Sequence, residues 1–316
     1  MGLPSHGPGA VSRAGRRIGK GGVMGAMTLR TLLGDYPNTQ ALKRGEIASP
    51  LVGFEFDPVK TANRAFKRVV REGAFDVAEL ALVTFLQAKA YGKPLVLMPA
   101  VVGAGRYQHH CLVHNVERGR LRVAELAGKR IGIRAYAQTT VAWVRGILAD
   151  DYGVDLNAIR WVTFEDGHLA EFADPPGVAR AEGRSMVEML LAGELDAAII
   201  GTDLPDDPRL APVLPDPHVA AAAWGARHAM VPINHMVAVD RTLCETRPEV
   251  VREVYRLLQE SKAAARRDAG GPDLTPFGVE PNRHALELII HYAYDQKLIP
   301  RRYAVDELFD DVTRVL

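Results

Sequence analysis

Three of the chain's ten histidines, His109, His110 and His114, crowd into one short stretch. An imidazole titrates near neutrality, so a histidine held over a cleft can deliver or take up a proton. On an extended chain successive side chains alternate, which sends His110 and His114 one way and His109 the other. The competing reading is that one of them ends a strand and another is solvated. His235 stands beside Asn234, flanked by Ile233, Met236 and Val237. A polar pair inside an apolar strand must be satisfied or used, and a core histidine bonded to backbone is the alternative. Glu79 closes FDVAE ahead of an apolar run. A carboxylate there can accept a proton or cap the next helix.

Groups able to hold an anion are also present. Arginine offers a planar fork to a carboxylate. Arg106 lies in a loop beside the histidines, whereas Arg145 lies in a helical stretch where an ordinary salt bridge competes. Gln138, Thr139 and Thr140 open that same stretch. Hydroxyls and free backbone N–H groups at a helix start take up anions readily, with simple capping as the alternative. Asp35 and Tyr36 follow the first strand in a turn; Thr202 and Asp203 follow a buried strand in the corresponding place of the second half. Either aspartate can instead cap a helix. Arg283, with Glu280 and Asn282, precedes a helix and is read as a further binding candidate or as a cap. A divalent metal shared by His109, His110, His235 and Glu79 has no HExxH or HxH spacing behind it, and adjacent strand histidines diverge. The expectation is therefore no metal and no cofactor.

Something must position these residues. Strands are predicted at 27–33, 51–59, 75–80, 94–102, 111–115, 130–134, 159–164, 195–201 and 231–240, the fourth as a near-continuous apolar run. Helices are predicted at 61–72, 82–92, 138–152, 185–193, 247–267, 283–296 and about 305–315. GDYPNT reads as turn chemistry, and 165–184 as a polar loop long enough to be a functional flap. Strands alternating with helices argue for an α/β protein with mostly parallel sheets flanked by helices. Two lobes are expected: 27–128 with 232–316, and 129–231, joined by two crossings. The ligand cleft then lies between them, outside the carboxyl ends of the strands.

A composition of 47% hydrophobic and 24% charged residues is that of an ordinary globular protein. A formal net charge of +1 argues against nucleic-acid or anionic-membrane partners. Cys111 and Cys244 lack any CxxC neighbour and are expected to be buried free thiols. Residues 1–26 are basic and glycine-rich without an apolar h-region, and read as a disordered extension or as an upstream start ahead of Met24 or Met27. No run approaches a membrane span, so a cytoplasmic location is expected.

The segments FDVAEL, GKRIGIRAYAQTTVAWVRGILADDYGVDL, LAGELDAAIIG, INHMVAV and PFGVEPNR together resemble the 4,5-dihydroxyphthalate decarboxylase family, from about residue 27 to about 300. LAGELDAAI carries fold information only; the middle block and the tail are specific. The resemblance implies a type II periplasmic-binding-protein-like fold. It also implies a carboxy-lyase that removes one carboxyl group from a dihydroxylated phthalate to give protocatechuate, so the partner is a small aromatic carboxylate. Such chemistry needs a cradle for the carboxylate that stays, a proton donor to the ring carbon and an acceptor for the phenolic proton. His110, His235, His109 and Glu79 are the catalytic candidates; Asp35, Tyr36, Arg106, Gln138, Thr139, Thr140, Arg145, Thr202, Asp203 and Arg283 are the binding candidates. The chain departs from the family pattern at RYQHHCL (106–112), in the 165–184 loop and in the first residues of AYAQTT, which is where substrate choice would be made. A solute-binding or sensor protein for an aromatic carboxylate is the rival reading, because fold does not fix function. A pyrimidine-precursor enzyme that consumes a histidine of the same fold lacks support in the middle and tail motifs. Association into a homo-oligomer through the helical tail at 283–316 is a further expectation.

Overall fold

The computed structural model describes residues 26–316 apart from 104, 202, 268 and 269. The expected extension at 1–26 therefore lies, but for its last residue, outside the described residues, as does Thr202. In chain order the elements are β1 (Met27–Leu32), α1 (Pro37–Lys43), β2 (Val52–Phe56), β3 (Val77–Ala81), α2 (Leu82–Ala90), β4 (Leu95–Val101) and β5 (Leu112–Asn115). There follow β6 (Arg130–Ile133), α3 (Thr139–Tyr152), β7 (Arg160–Thr163), β8 (Ala179–Arg180), α4 (Met186–Ala192), β9 (Ala197–Ile199), β10 (Leu210–Pro212) and α5 (Pro217–His228). The chain closes with β11 (His235–Asp240), α6 (Arg241–Thr246), α7 (Pro248–Arg266) and α8 (Arg283–Asp295).

These elements build two sheets, ordered β2-β1-β3-β11-β4 and β10-β5-β9-β6-β7-β8. Parallel pairings join β1 to β2 and β3 in the first, and link β9, β6, β7 and β8 in the second. The returning β11 inserts antiparallel between β3 and β4. Every residue of β3 and β4 is buried, as strands covered on both faces require. The expected α/β architecture of two helix-flanked sheets stands.

Several details differ from the sequence reading. The strand at 112–115, assigned to the first lobe, pairs with β9 and β10 in the second sheet, so the first crossing lies between β4 and β5 and not near 128. A strand's own apolar pattern says that it is buried, not which sheet receives it. GDYPNT does not stay a turn: Pro37 opens α1, where its fixed φ and missing N–H suit a first helical position. The helix expected at 61–72 breaks into a 3₁₀ turn (Ala62–Ala65) and a wider turn (Arg68–Glu72) ended by Gly73. The tail near 305–315 is two short 3₁₀ turns, not a helix. Cys111 and Cys244 are free and buried.

The lobes share a seam. Trp143 of α3 donates from Nε1 to the Ile233 carbonyl (3.0 Å), and Gln296 donates from Nε2 to the Ala142 carbonyl (2.8 Å). Trp143, Ile147 and Leu169 sit in one apolar cluster with Leu80, Leu82 and Phe85 of the first lobe. No helix among the described residues is long and apolar enough to cross a membrane.

Candidate active site

Glu79 sits mid-strand in β3, fully buried. Its register partner in β11 is Val237, so His235, two residues earlier, is a diagonal neighbour on the same face. That places the two side chains together at the carboxyl end of β3. Oε1 of Glu79 lies 2.6 Å from Nδ1 of His235 and accepts from the Tyr36 hydroxyl at 2.6 Å; Oε2 accepts from the Gly34 N–H at 2.8 Å. Burial pushes the Glu79 carboxyl up, but the hydrogen bond and charge of His235, then Tyr36 and Gly34, outweigh it and hold the group below the usual carboxylate range. An ionised Glu79 assigns the proton on His235 to Nδ1. Burial and then Glu79 drive the Tyr36 phenol upward, so it stays protonated as a donor. The Tyr36 ring fits because two glycines flank it: a Cβ on Gly34 would come within 2.6 Å of the ring, and one on Gly103, at φ +68°, within 3.2 Å.

Across from this group stands the start of α3. Thr140 Oγ1 lies 3.5 Å from the donating Nδ2 of Asn234, the residue next to His235. Asn234 in turn accepts at Oδ1 from the buried Gln108 Nε2 (3.2 Å). Arg106 and Thr140 converge over Gly201: a Cβ built there would lie 2.9 Å from Arg106 Nη2 and 3.8 Å from Thr140 Oγ1. Arg106 makes no ion pair with a described residue. His110 lies close by, its Nε2 3.6 Å from Cys111 Sγ, with burial and then Arg106 and His218 lowering its affinity for a proton. The Glu79–His235 pair and the Arg106–Thr140 group thus meet at the lobe junction, linked through Asn234. Among the described residues no three His, Cys, Asp or Glu side chains group so as to hold a metal ion.

A 4,5-dihydroxyphthalate decarboxylase of Comamonas testosteroni is 28% identical to this chain, the alignment covering 90% of the chain and 97% of that protein. A second, from Pseudomonas putida, is 29% identical over 64% of the chain and 83% of its own length. The chain is thus similar to 4,5-dihydroxyphthalate decarboxylases over most of its length. No protein-family model matches it. Among solved structures, the alkanesulfonate-binding protein of Xanthomonas axonopodis pv. citri superposes with a TM-score of 0.57 at 14% identity, covering 90% of this chain and 99% of that one. A Candida albicans protein with the generic periplasmic-binding-protein fold gives 0.52 at 10%, covering 91% and 93%. At such identities these two speak for the fold alone, and that fold is periplasmic-binding-protein-like.

Several of the candidate residues lie away from the group around Glu79. His109 is buried in an aromatic cluster, edge-on to Trp224 (6.0 Å) and Tyr107 (6.5 Å), because 109 and 110 lie in a turn and not in the strand. Burial lowers its pKa to about 4, Arg227 and His110 adding to this and Asp151 opposing it. Arg145 is completely buried on the inner face of α3, stacked 4.0 Å over the Tyr136 ring and 5.5 Å from Trp161, donating to the Tyr136 carbonyl at 2.7 Å. It is enclosed by the second lobe and away from the group around Glu79. Arg283 is spent on Glu280 (2.6 Å) and Asp306 (2.9 Å). Asp35 pairs with Lys43 at 2.5 Å with its side chain 65% exposed, and Asp203 is exposed without a partner in the group around Glu79. Thr139 uses its hydroxyl to accept from the Val83 N–H (3.1 Å), so it caps α2 across the lobe junction, and Gln138 caps α3 through backbone only.

The burial of His109 has a measurable consequence. A histidine whose folded pKa lies below its unfolded value of about 6.5 favours the neutral form, so its contribution is present above that value and is lost as pH falls toward 4. H109F is expected to flatten the fall in thermal midpoint between pH 7 and pH 5. A midpoint that falls as steeply as in the unsubstituted chain would count against this.

Sequence reasoning also missed a histidine. His168 sits in the 165–184 loop with Nδ1 2.7 Å from Thr84 Oγ1. A lone histidine in an aperiodic loop carries no pattern; the length of the loop and its departure from the family pattern marked the region, not the residue.

Proposed function

We propose that this chain decarboxylates a hydroxylated aromatic dicarboxylic acid, with 4,5-dihydroxyphthalate as the first candidate, by acid–base catalysis. The observation that carries the reading is the buried Glu79 paired with His235 beside an Arg106–Thr140 cradle. His235, a quarter exposed, keeps Nδ1 on Glu79 and leaves Nε2 without a partner among the described residues. With the imidazole protonated on both nitrogens, Nε2 passes its proton to the ring carbon that bears the leaving carboxylate, the para phenol supplying electron density. The C–C bond then breaks, its electron pair returns to the ring, carbon dioxide leaves, and His235 is reprotonated from solvent. Starting from the dicarboxylate, one proton is consumed per turnover. Glu79 holds the imidazole's orientation and stabilises its charged form, the part a buried carboxylate plays beside a proton-shuttling histidine. Arg106, Thr140 and the first-turn amides of α3 hold the carboxylate that stays.

Purified protein mixed with 4,5-dihydroxyphthalate should convert it to protocatechuate, followed by ultraviolet absorbance, and turnover should survive a chelator. A panel of phthalate isomers and hydroxybenzoates then sets the substrate range. Saturable binding without turnover on every member would replace this reading with that of a binding protein. R106K keeps the charge but loses the fork. Hydrogen bonds to a charged group contribute about 1.5–3 kcal/mol, so KM should rise about 10- to 100-fold with kcat changed less. An unchanged KM would remove Arg106 from the cradle.

A further inference from the structure

The buried ring of Phe66 carries two imidazoles edge-on, His235 at 5.3 Å and His168 at 5.4 Å between centroids. They come from different lobes: His235 opens β11, whereas His168 reaches over on the loop after β7. Three separate anchors hold that loop against the first lobe. Arg71 donates to the His168 carbonyl (2.7 Å) and the Gly167 carbonyl (2.9 Å), Lys93 pairs with Glu171 (2.5 Å), and Leu169 is sealed in the core. The loop is therefore a fixed wall of the site, and Thr84, in the first turn of α2, sets the His168 ring through Nδ1. Its other nitrogen, Nε2, has no partner among the described residues. Two polar groups placed in an apolar corner, with one nitrogen left over, call for a polar visitor. The Arg134 Nε nearby is also buried without a hydrogen-bond partner, 4.0 Å from Glu165 Oε2.

We propose that His168 is a specificity-determining residue: its Nε2 hydrogen-bonds a ring hydroxyl of the substrate, so the 165–184 loop selects hydroxylated rings. This rests on the decarboxylase reading above and names the feature of the substrate that the site recognises. Burial first, then Arg134 and Lys67, bring the His168 pKa down to about 3, so the imidazole stays neutral and is too weak a base to remove a phenolic proton. It holds the oxygen as a neutral hydrogen-bonding partner. A site built to bind a hydroxyl discriminates against the analogue lacking it, because its own polar groups are then left unpaired.

The test compares two ligands that differ only in hydroxyls, 4,5-dihydroxyphthalate and phthalate, on the unsubstituted chain, H168L and T84V, by calorimetric Kd and by kcat/KM where turnover occurs. The unsubstituted chain should prefer the dihydroxy ligand. H168L should weaken that ligand about tenfold, the loss of one hydrogen bond, and leave phthalate within twofold. T84V, which frees the ring without removing it, should move the dihydroxy ligand a few-fold in the same direction, and it carries the comparison if H168L does not fold. Equal losses for both ligands, or none for either, would overturn the assignment. Absence of turnover with selectivity intact would sink the decarboxylase reading alone; turnover with no dependence on His168 or Thr84 would sink only the role of His168.

Discussion

Replacing Glu79 with glutamine is expected to lower kcat by on the order of 10³ to 10⁴ and to destabilise the fold by about 1–3 kcal/mol. Both effects follow from the same three contacts. Gly34, Tyr36 and His235 all present donors to the carboxylate. An amide offers one oxygen and one NH₂, so in either orientation at least one donor faces another donor in a buried corner. The glutamine also removes the charge that would stabilise a protonated His235. Because the folded Glu79 titrates below its usual range, its contribution to stability is present above about pH 4 and disappears as pH falls through the folded value. E79Q should therefore show a weaker acid dependence of unfolding below about pH 4, measured by denaturant titration at about pH 5 and about pH 2.5. A variant with full kcat would mean that Glu79 only fastens the lobe.

Substituting His235 with asparagine isolates the proton. The asparagine NH₂ can stand where Nδ1–H stood and keep the bond to Glu79, so the fold should persist. What is lost is the second nitrogen, and with it proton delivery. A positioned acid–base group is typically worth about 10² to 10⁴ in rate. H235N should lose that much in kcat while KM stays within a few-fold, as steady-state kinetics would show. A large rise in KM with kcat intact would make His235 a binding residue instead.

Much of this site was legible in the chain, for reasons that can be named. Glu79 and His235 are polar residues inside apolar strand patterns, and such residues must be explained; both reached the site. Tyr36 was marked by its place after the first strand, although its partner Glu79 is 43 residues away. Arg106 and Thr140 were read as separate anion-binding candidates, and their side chains converge on Gly201. The failures are long-range in origin. His109 and His110 are adjacent, and only the turn in which they lie decides that one enters the Trp224 cluster while the other stays near Arg106. Arg145 looked available because a sequence shows its charge and hides the Tyr136 and Trp161 rings that enclose it. The 112–115 strand went to the wrong lobe because pairing partners are set by topology. His168 escaped because a loop anchored by Arg71, Leu169 and Lys93 leaves no periodic trace.

The central claim is that a proton replaces a carboxylate on the ring at the Glu79–His235 pair. The most direct measurement follows ¹³C-carboxyl-labelled 4,5-dihydroxyphthalate in a pH-stat with catalytic amounts of the unsubstituted chain and of H235N. Labelled carbon dioxide and protocatechuate should form in equal amounts with one proton taken up per turnover, and all three should be nearly abolished in H235N. Tight binding of the labelled ligand with no carbon dioxide released, or equal release by H235N, would contradict it.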